Sequence, residues 1–198
     1  MSRQALPEAF LATARTEFLR YGFDGTDVNR IARRSGSSPT AFYRLFRDKT
    51  DIFIAIYRDW SDAERRALGR LLARAAPACE IAQACIDRHR AHAPFRRSVS
   101  RLAREDPHMR RAVAEARLAT LASLKDWTAD PCADDAALAF DLVRFEQIAI
   151  ALAEGDLTDM GFDDAVAREH LAAIIDRWRG SPRPAPPIPV RERAAQLA

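Results

Sequence analysis

Apolar residues near the start of the chain recur at helical spacing and stop at a glycine. Phe10, Ala14 and Phe18 follow one another every four residues, a pattern that predicts an amphipathic helix. This first helix is predicted from Pro7 to Tyr21, because Gly22 stands where a helix commonly ends. Helical periodicity continues over most of the chain, and no stretch alternates as a strand would.

Two short helices joined by a tight turn are predicted next. Thr26 is placed to cap the second helix, and Ser-Gly-Ser at residues 35–37 is typical of a turn. Ser38 is placed to cap the third helix, with Pro39 at its first position, where a missing N–H does no harm. The third helix is expected to extend to about Phe46.

Longer helical patterns follow, separated by proline, glycine or polar breaks. Asp48 is a good cap for a fourth helix, which Pro77 stops. Five further helices are predicted over residues 78–92, 95–104, 108–127, 136–154 and 163–179, with a turn over residues 155–161. The pattern therefore predicts an all-α fold of about nine helices, followed by a proline-rich, extended tail over residues 181–198.

Composition narrows the class of protein. Apolar residues make up 48% of the chain and charged residues 30%, which is typical of a soluble globular protein. The longest uncharged apolar stretches, such as 148–153, are far shorter than the ~20 residues that span a bilayer. Cys79, Cys85 and Cys132 are odd in number and lack CxxC spacing, so we expect reduced thiols in a cytoplasmic protein with no membrane partner.

The positive charge is concentrated at the N-terminus. Residues 1–50 carry a net charge of +4, whereas residues 51–198 carry −1. This asymmetry favours an N-terminal segment that meets a polyanion.

The third predicted helix has one polar edge and one apolar edge. Thr40 and Arg44 are four residues apart and share a face, whereas Phe42 and Phe46 form a separate apolar stripe. Two short helices joined by a glycine-containing turn, with a polar edge on the second, have the organisation of a helix-turn-helix that enters the major groove.

The segment over roughly residues 8–57 resembles the DNA-binding domain of the TetR family of bacterial regulators. The matching positions are Phe18, Gly22-Phe23, Thr26, Val28, Ile31-Ala32, Gly36, Ser38, Tyr43, Phe46 and Lys49. Two positions depart from the family pattern, Ala41 in place of a residue that is often Thr, and Ser37 in place of a usually apolar turn residue.

The resemblance implies a set of DNA contacts. The side chains expected at phosphates are Thr26, Ser38, Tyr43 and Lys49. The side chains expected at base edges are Pro39, Thr40 and Arg44. It also implies three units: a three-helix DNA-binding domain over residues 1–50, a helical effector-binding and dimerisation domain over 51–180, and the tail.

Several side chains of the second unit are candidates for binding a small, mostly apolar effector. Aromatic and polar residues on the long helices supply them, although each also has an ordinary interpretation as core or surface. The candidates are Trp60, His89, Trp127, Phe140, Arg144 and Phe145.

The last two long helices are more apolar than a solvent-facing pair should be. We expect them to pair with their copies in a two-fold four-helix bundle. The candidate interface residues, which the sequence does not separate from internal core, are Leu142, Phe145, Ile148, Leu171, Ile174 and Trp178.

The sequence gives less support to a metal site, an enzyme or a protein scaffold. Cys85, His89 and His92 share one helix face, but three ligands on one helix rarely converge on a single ion, so no metal or cofactor is expected. No phosphate-cradling glycine pattern, GxSxG or HExxH is present, which argues against an enzyme. A scaffold that binds only proteins would not explain the polar edge of the third helix.

The expected function is that of a repressor. Two recognition helices roughly 34–36 Å apart would bind a palindromic operator as a homodimer. A small effector in the body would tilt the fourth helix and release the DNA. An activator, or a constitutive DNA binder without an effector, remains an open alternative.

Overall fold

The computed structural model describes residues 5–128 and 134–180. These residues form ten helices and no strand: α1 Ala5–Tyr21, α2 Val28–Arg34, α3 Pro39–Tyr43, α4 Lys49–Ala73, α5 Ala78–Ala91, α6 Ala93–Glu105, α7 Pro107–Trp127, α8 Asp135–Glu154, α9 Asp156–Asp159 and α10 Asp164–Trp178. The expected all-α class is confirmed. Cys132 and the proline-rich tail lie outside the described residues.

Residues close in sequence to the helix ends determine where most helices begin. The side chains of Ser38 and Asp48 accept hydrogen bonds from the first turns of α3 and α4, as the sequence predicts. The cap of α2 was misplaced by one residue, since Asp27, not Thr26, accepts from the N–H of Arg30. Helix α3 ends earlier than predicted, and the turn over residues 155–161 contains the four-residue α9.

Buried side chains form two clusters. The N-terminal core is built around Phe10, Phe18, Phe42, Phe53 and Phe95, each fully buried. It takes side chains from α1, α2 and α3 together with the first half of α4 and parts of α6 and α7. Packing of the DNA-binding unit therefore extends well beyond residue 50.

The C-terminal core lies between α5, α8 and α10. Its members include Ile81, Leu142, Phe145, Leu171 and Trp178. The distal half of α4 also packs on this cluster, so α4 passes through both cores as one continuous helix of 25 residues.

The loop between α1 and α2 lies directly on α6. Gly22 has a φ of +70°, and a Cβ at this position would stand 2.8 Å from both Pro94 O and Ser98 Oγ. Only glycine fits this left-handed position and this close approach. Asp24 extends the contact, because both of its carboxylate oxygens accept hydrogen bonds from Arg101 of α6.

No helix within residues 5–128 and 134–180 combines the length and apolarity needed to cross a membrane.

Candidate nucleic-acid interface and body cavity

Helix α3 buries one aromatic ring and exposes its other side chains. Phe42 is fully buried, with its ring centroid 5.6 Å from that of Phe10 in an edge-to-face arrangement. Phe46 packs against the same pair, as the predicted apolar stripe requires. Thr40, Tyr43 and Arg44 are exposed, as are Ser38 and Pro39 at the start of the helix, and 59% of Tyr43 is accessible. An exposed polar edge on a firmly anchored helix can enter a groove.

The start of α3 is held by its own sequence. Ser38 Oγ accepts a hydrogen bond of 3.2 Å from the N–H of Ala41. Its hydroxyl proton is left to donate outward, which is what a phosphate contact needs. Gly36 precedes it with a φ of +70°, so the turn after α2 uses a conformation that favours glycine.

Thr26 does not present its hydroxyl to DNA. The residue is buried, and its Oγ1 donates to Glu17 Oε2 at 3.3 Å. The phosphate contact that the resemblance implies for this side chain therefore does not fit the structure. Thr26 instead fixes the loop before α2 against α1.

Sequence reasoning missed the central role of Glu17. Its carboxylate is buried, forms an ion pair of 2.6 Å with Arg30 Nε, and also pairs with Arg34. Glu17 lies three residues after Ala14 on the apolar face of the first helix, and a charge in that register was the signal. The pairing joins α1 to α2 and occupies Arg34 within the protein.

Lys49 is anchored in the protein. Its Nζ donates to the carbonyls of Phe23 and Thr26 at 2.9 and 3.0 Å, and lies 3.9 Å from the centroid of the Phe23 ring. Burial lowers the pKa of Lys49, while Asp24 and Asp27 act in the opposite direction. An ammonium has three donors, so one remains for a phosphate beside this loop.

A cavity of about 320 Å³ lies between the two cores. Of the six effector candidates, Trp60, His89 and Phe145 line it. Trp127 packs instead against α4, since a Cβ at Gly69 would stand 2.5 Å from its Cζ2. The other two candidates, Phe140 and Arg144, point outward and are exposed.

Polar groups line one side of the cavity. His89 is buried, and burial together with Arg96 lowers its pKa to about 3, so the imidazole is neutral at physiological pH. Trp60 Nε1 donates to His92 Nδ1 at 3.3 Å. Burial raises the pKa of the Cys85 thiol to about 11, which keeps it protonated. No three metal-ligating side chains cluster within the described parts of the chain.

Most candidate dimer residues lie inside the protomer. Leu142, Phe145, Leu171, Ile174 and Trp178 are buried in the C-terminal core, where the rings of Phe145 and Trp178 are 5.2 Å apart. They are already covered and cannot also cover a partner.

The outward face of α8 carries other apolar residues. Phe140 is 71% exposed and Val143 41% exposed, and Ile148 is partly buried beside them on the same helix. Exposed apolar surface on α8 therefore lies at Phe140 and Val143, which were not among the interface candidates, and Ile148 is the one candidate that is not buried.

Residues 10–56 match the family described as "Bacterial regulatory proteins, tetR family". No curated protein shows a significant sequence match to the chain.

Solved structures share the fold. A TetR-family transcriptional regulator from Mesorhizobium loti is 17% identical, covers 90% of this chain and 97% of its own, and gives a TM-score of 0.64. FadR from Bacillus subtilis, in complex with stearoyl-CoA, is 15% identical over 85% of this chain and 97% of its own, with a TM-score of 0.54. RolR, in complex with resorcinol, is 16% identical over 94% and 98%, with a TM-score of 0.58.

Proposed function

We propose that this chain, which belongs to the TetR family of bacterial regulators through its N-terminal domain, is a repressor that a small effector releases from a palindromic operator. The observation that carries the proposal is the presentation of α3. Its buried Phe42 fixes the helix, and its exposed Thr40 and Arg44 are free to meet base edges.

The expected DNA contacts divide into two kinds. Pro39, Thr40 and Arg44 stand at the start and outer edge of α3 and are assigned to bases. Ser38, Tyr43 and Lys49 are assigned to phosphates, the last through its one remaining ammonium proton. The cell compartment is the cytoplasm, where a bacterial regulator meets its DNA.

A homodimer is required by the geometry of a palindrome. Half-sites one turn apart need two α3 helices separated by roughly 34–36 Å. The exposed apolar side chains of α8, Phe140 and Val143, support pairing through this helix and α10. The pairing has two-fold symmetry, so a residue on the axis contacts its own copy and every other contact between two residues occurs twice.

Helix α6 supports coupling between the cavity and the DNA-binding domain. Arg96 and Val99 line the cavity, while Ser98 and Arg101 hold the loop between α1 and α2. Helix α4 is a second connection, because Trp60 lines the cavity and the same helix begins at Lys49. Filling the cavity would therefore shift both elements that support α3.

Two observations support the proposal of a small-molecule effector. The cavity is at the lower end of ligand-pocket volumes, which are roughly 300–1,000 Å³. FadR and RolR, which share the fold, are described with stearoyl-CoA and resorcinol bound.

Selection of bound duplexes from a random pool tests the DNA-binding part. We expect enrichment of an inverted repeat with half-site centres about 10 base pairs apart. Enrichment of no common sequence would overturn the operator. A true effector must weaken operator affinity by the same factor by which operator weakens effector affinity, typically about 5–150-fold. Binding that leaves operator affinity unchanged would leave a constitutive DNA binder.

A further inference from the structure

Arg96 is a partly buried cation in the wall of the cavity. Its Cζ lies 5.2 Å from the centroid of the Trp60 ring, and its Nε has no hydrogen-bond partner among the described residues. It also forms no ion pair with any carboxylate of residues 5–128 and 134–180. Burial lowers the pKa of Arg96, while the carboxylates of Glu146 and Glu64 act in the opposite direction.

The two carboxylates nearest to Arg96 are occupied by other arginines. Glu64 pairs with Arg88 at 3.5 Å, and Glu146 pairs with Arg117 at 2.8 Å. Both pairs line the same cavity. The full set of charged lining residues is Glu64, Arg65, Arg88, Arg96, Arg104, Arg117 and Glu146. Cations outnumber anions in this wall, so the cavity favours a negative charge.

A second unsatisfied polar group faces this region. His89 is 9% exposed and lines the cavity, and its Nδ1 has no hydrogen-bond partner within the described residues. A neutral imidazole can donate one hydrogen bond to an oxygen. Leaving a partly buried charge and a buried donor without partners is costly, so such groups generally have a partner in the functional state.

We propose that the cavity binds a small organic carboxylate, held by Arg96 and His89 with its apolar body against Trp60 and Phe145. Arg96 supplies a planar fork of donors that fits two carboxylate oxygens, and His89 supplies a further donor. This assignment rests on the proposed function, since it names the class of effector for that same cavity. The carboxylate supplies a hydrogen-bonding partner to both Arg96 and His89.

The decisive comparison uses two probe pairs, decanoate with decanamide and 2-naphthoate with 2-naphthamide. Binding is measured by the fluorescence of the tryptophans, two of which, Trp60 and Trp178, line the cavity. We expect at least one carboxylate to bind about 10- to 100-fold more tightly than its amide, the range that a hydrogen-bonded charge gives. No binding by any probe, or equal binding within both pairs, would overturn the proposal.

Arg96→Met keeps the bulk of the side chain and removes the charge. We expect it to abolish the preference for carboxylate over amide and to raise the melting temperature, since a partly buried cation without an ion-pair partner is removed. Arg97→Met is the matched control, because Arg97 is exposed and pairs with Glu154 at 2.8 Å. A carboxylate preference that survives Arg96→Met would overturn the assignment, and the comparison of wild-type protein with the two probe pairs does not depend on that variant.

Failure of this inference is distinguishable from failure of the proposed function. A carboxylate that binds through Arg96 but leaves operator affinity unchanged supports the site and contradicts effector release. An uncharged ligand that binds this cavity and weakens operator affinity supports effector release and contradicts the carboxylate.

Discussion

The backbone N–H of Phe23 donates a hydrogen bond of 2.8 Å to Ser98 Oγ, which joins the loop before α2 to the helix that lines the cavity. Ser98 Oγ in turn donates a hydrogen bond of 3.0 Å to Pro94 O. Ser98 is buried, and Gly22 allows the approach. Together with the Asp24–Arg101 pair, this hydroxyl therefore holds the loop between α1 and α2 against α6.

Ser98→Ala leaves the N–H of Phe23 without its acceptor. We expect a loss of about 1–3 kcal/mol in the free energy of unfolding, because a buried donor is left unsatisfied. We also expect effector and operator binding to become less strongly coupled. Chemical denaturation and operator titration with and without effector measure both. Ser100→Ala on the same helix is the control, as Ser100 is exposed. Equal stability of the two variants would show that the hydroxyl has no such role.

Arg44→Ala removes the proposed base contact. We expect specific binding to weaken by about 1–3 kcal/mol, with relaxed preference at one base position, most simply a G. Affinity for the operator and for a scrambled duplex is compared in each variant. Arg70→Ala carries the same charge change at the far end of α4, where the residue is exposed, and should affect neither affinity. Equal loss on both duplexes would mean that Arg44 binds only backbone.

Lys49→Ala is expected to lower both the stability of the protein and its affinity for DNA. The two carbonyls of Phe23 and Thr26 lose their donor, so we expect the protein to unfold about 1–3 kcal/mol more easily. Binding to all DNA sequences should weaken alike, and the slope of log affinity against log salt should fall by about 1. Lys125→Ala, the only other lysine in the chain, controls for charge. An unchanged slope would assign Lys49 to positioning alone.

His89 makes stability depend on pH in a defined direction. Its pKa is about 3 in the folded protein against 6.5 for a free imidazole, so the unfolded chain binds the extra proton between these values. Stability is therefore fully present above pH 6.5 and falls as the pH drops toward 3, by up to about 1.4 kcal/mol per unit. Thermal melts of wild type and His89→Gln measure this slope. His92, whose pKa burial also lowers, adds a contribution of the same sign.

The thermal melts that test His89 also need a control variant. His108→Gln changes an exposed imidazole and should keep the wild-type pH dependence. A wild-type slope that persists unchanged in His89→Gln would place its origin elsewhere.

Phe140→Asp places a charge on the exposed face of α8. We expect a folded protomer with weakened self-association, because an apolar contact is lost and like charges meet across the two-fold axis. Sedimentation at several concentrations measures the change, and Met160→Asp, at another exposed apolar residue, is the control. Trp178→Ala should instead destabilise the protomer by about 3–5 kcal/mol, since Trp178 is core. Undiminished association of Phe140→Asp would move the interface off this face.

Helices were predictable where their ends depend on neighbouring residues in sequence. Ser38-Pro39 and Asp48 act within one turn, and both caps form as the sequence indicates. Thr26 and Asp27 are both competent caps, and the choice between them follows from Glu17, which takes the threonine hydroxyl across the fold. Such a contact between distant residues leaves no trace in local periodicity.

The recognition edge of α3 was predictable for the same local reason, whereas the body was not. Burial of Phe42 follows from a stripe within one helix, but Trp178 is apolar whether it faces the protomer core or a partner. Arg96 was missed although it stands in register with Val99 and Ala103 on an apolar face of α6. A charge in that register was informative, but only the packed structure shows that Glu64 and Glu146 pair with other arginines and that Arg96 forms no ion pair within the described residues.

Gly69 packs tightly against Trp127, and this contact would act as a pivot near one end of α4. From Gly69 to Lys49 the helix advances 20 residues, or about 30 Å at 1.5 Å per residue. A tilt of about 5° at the pivot moves the DNA-proximal end by roughly 2.6 Å. In a two-fold dimer the two heads move in opposite directions, so their separation changes by roughly 5 Å, more than the span of a hydrogen bond. In the proposed dimer, a displacement in the cavity too small to disturb either core would thus be large enough to take both α3 helices out of register with an operator.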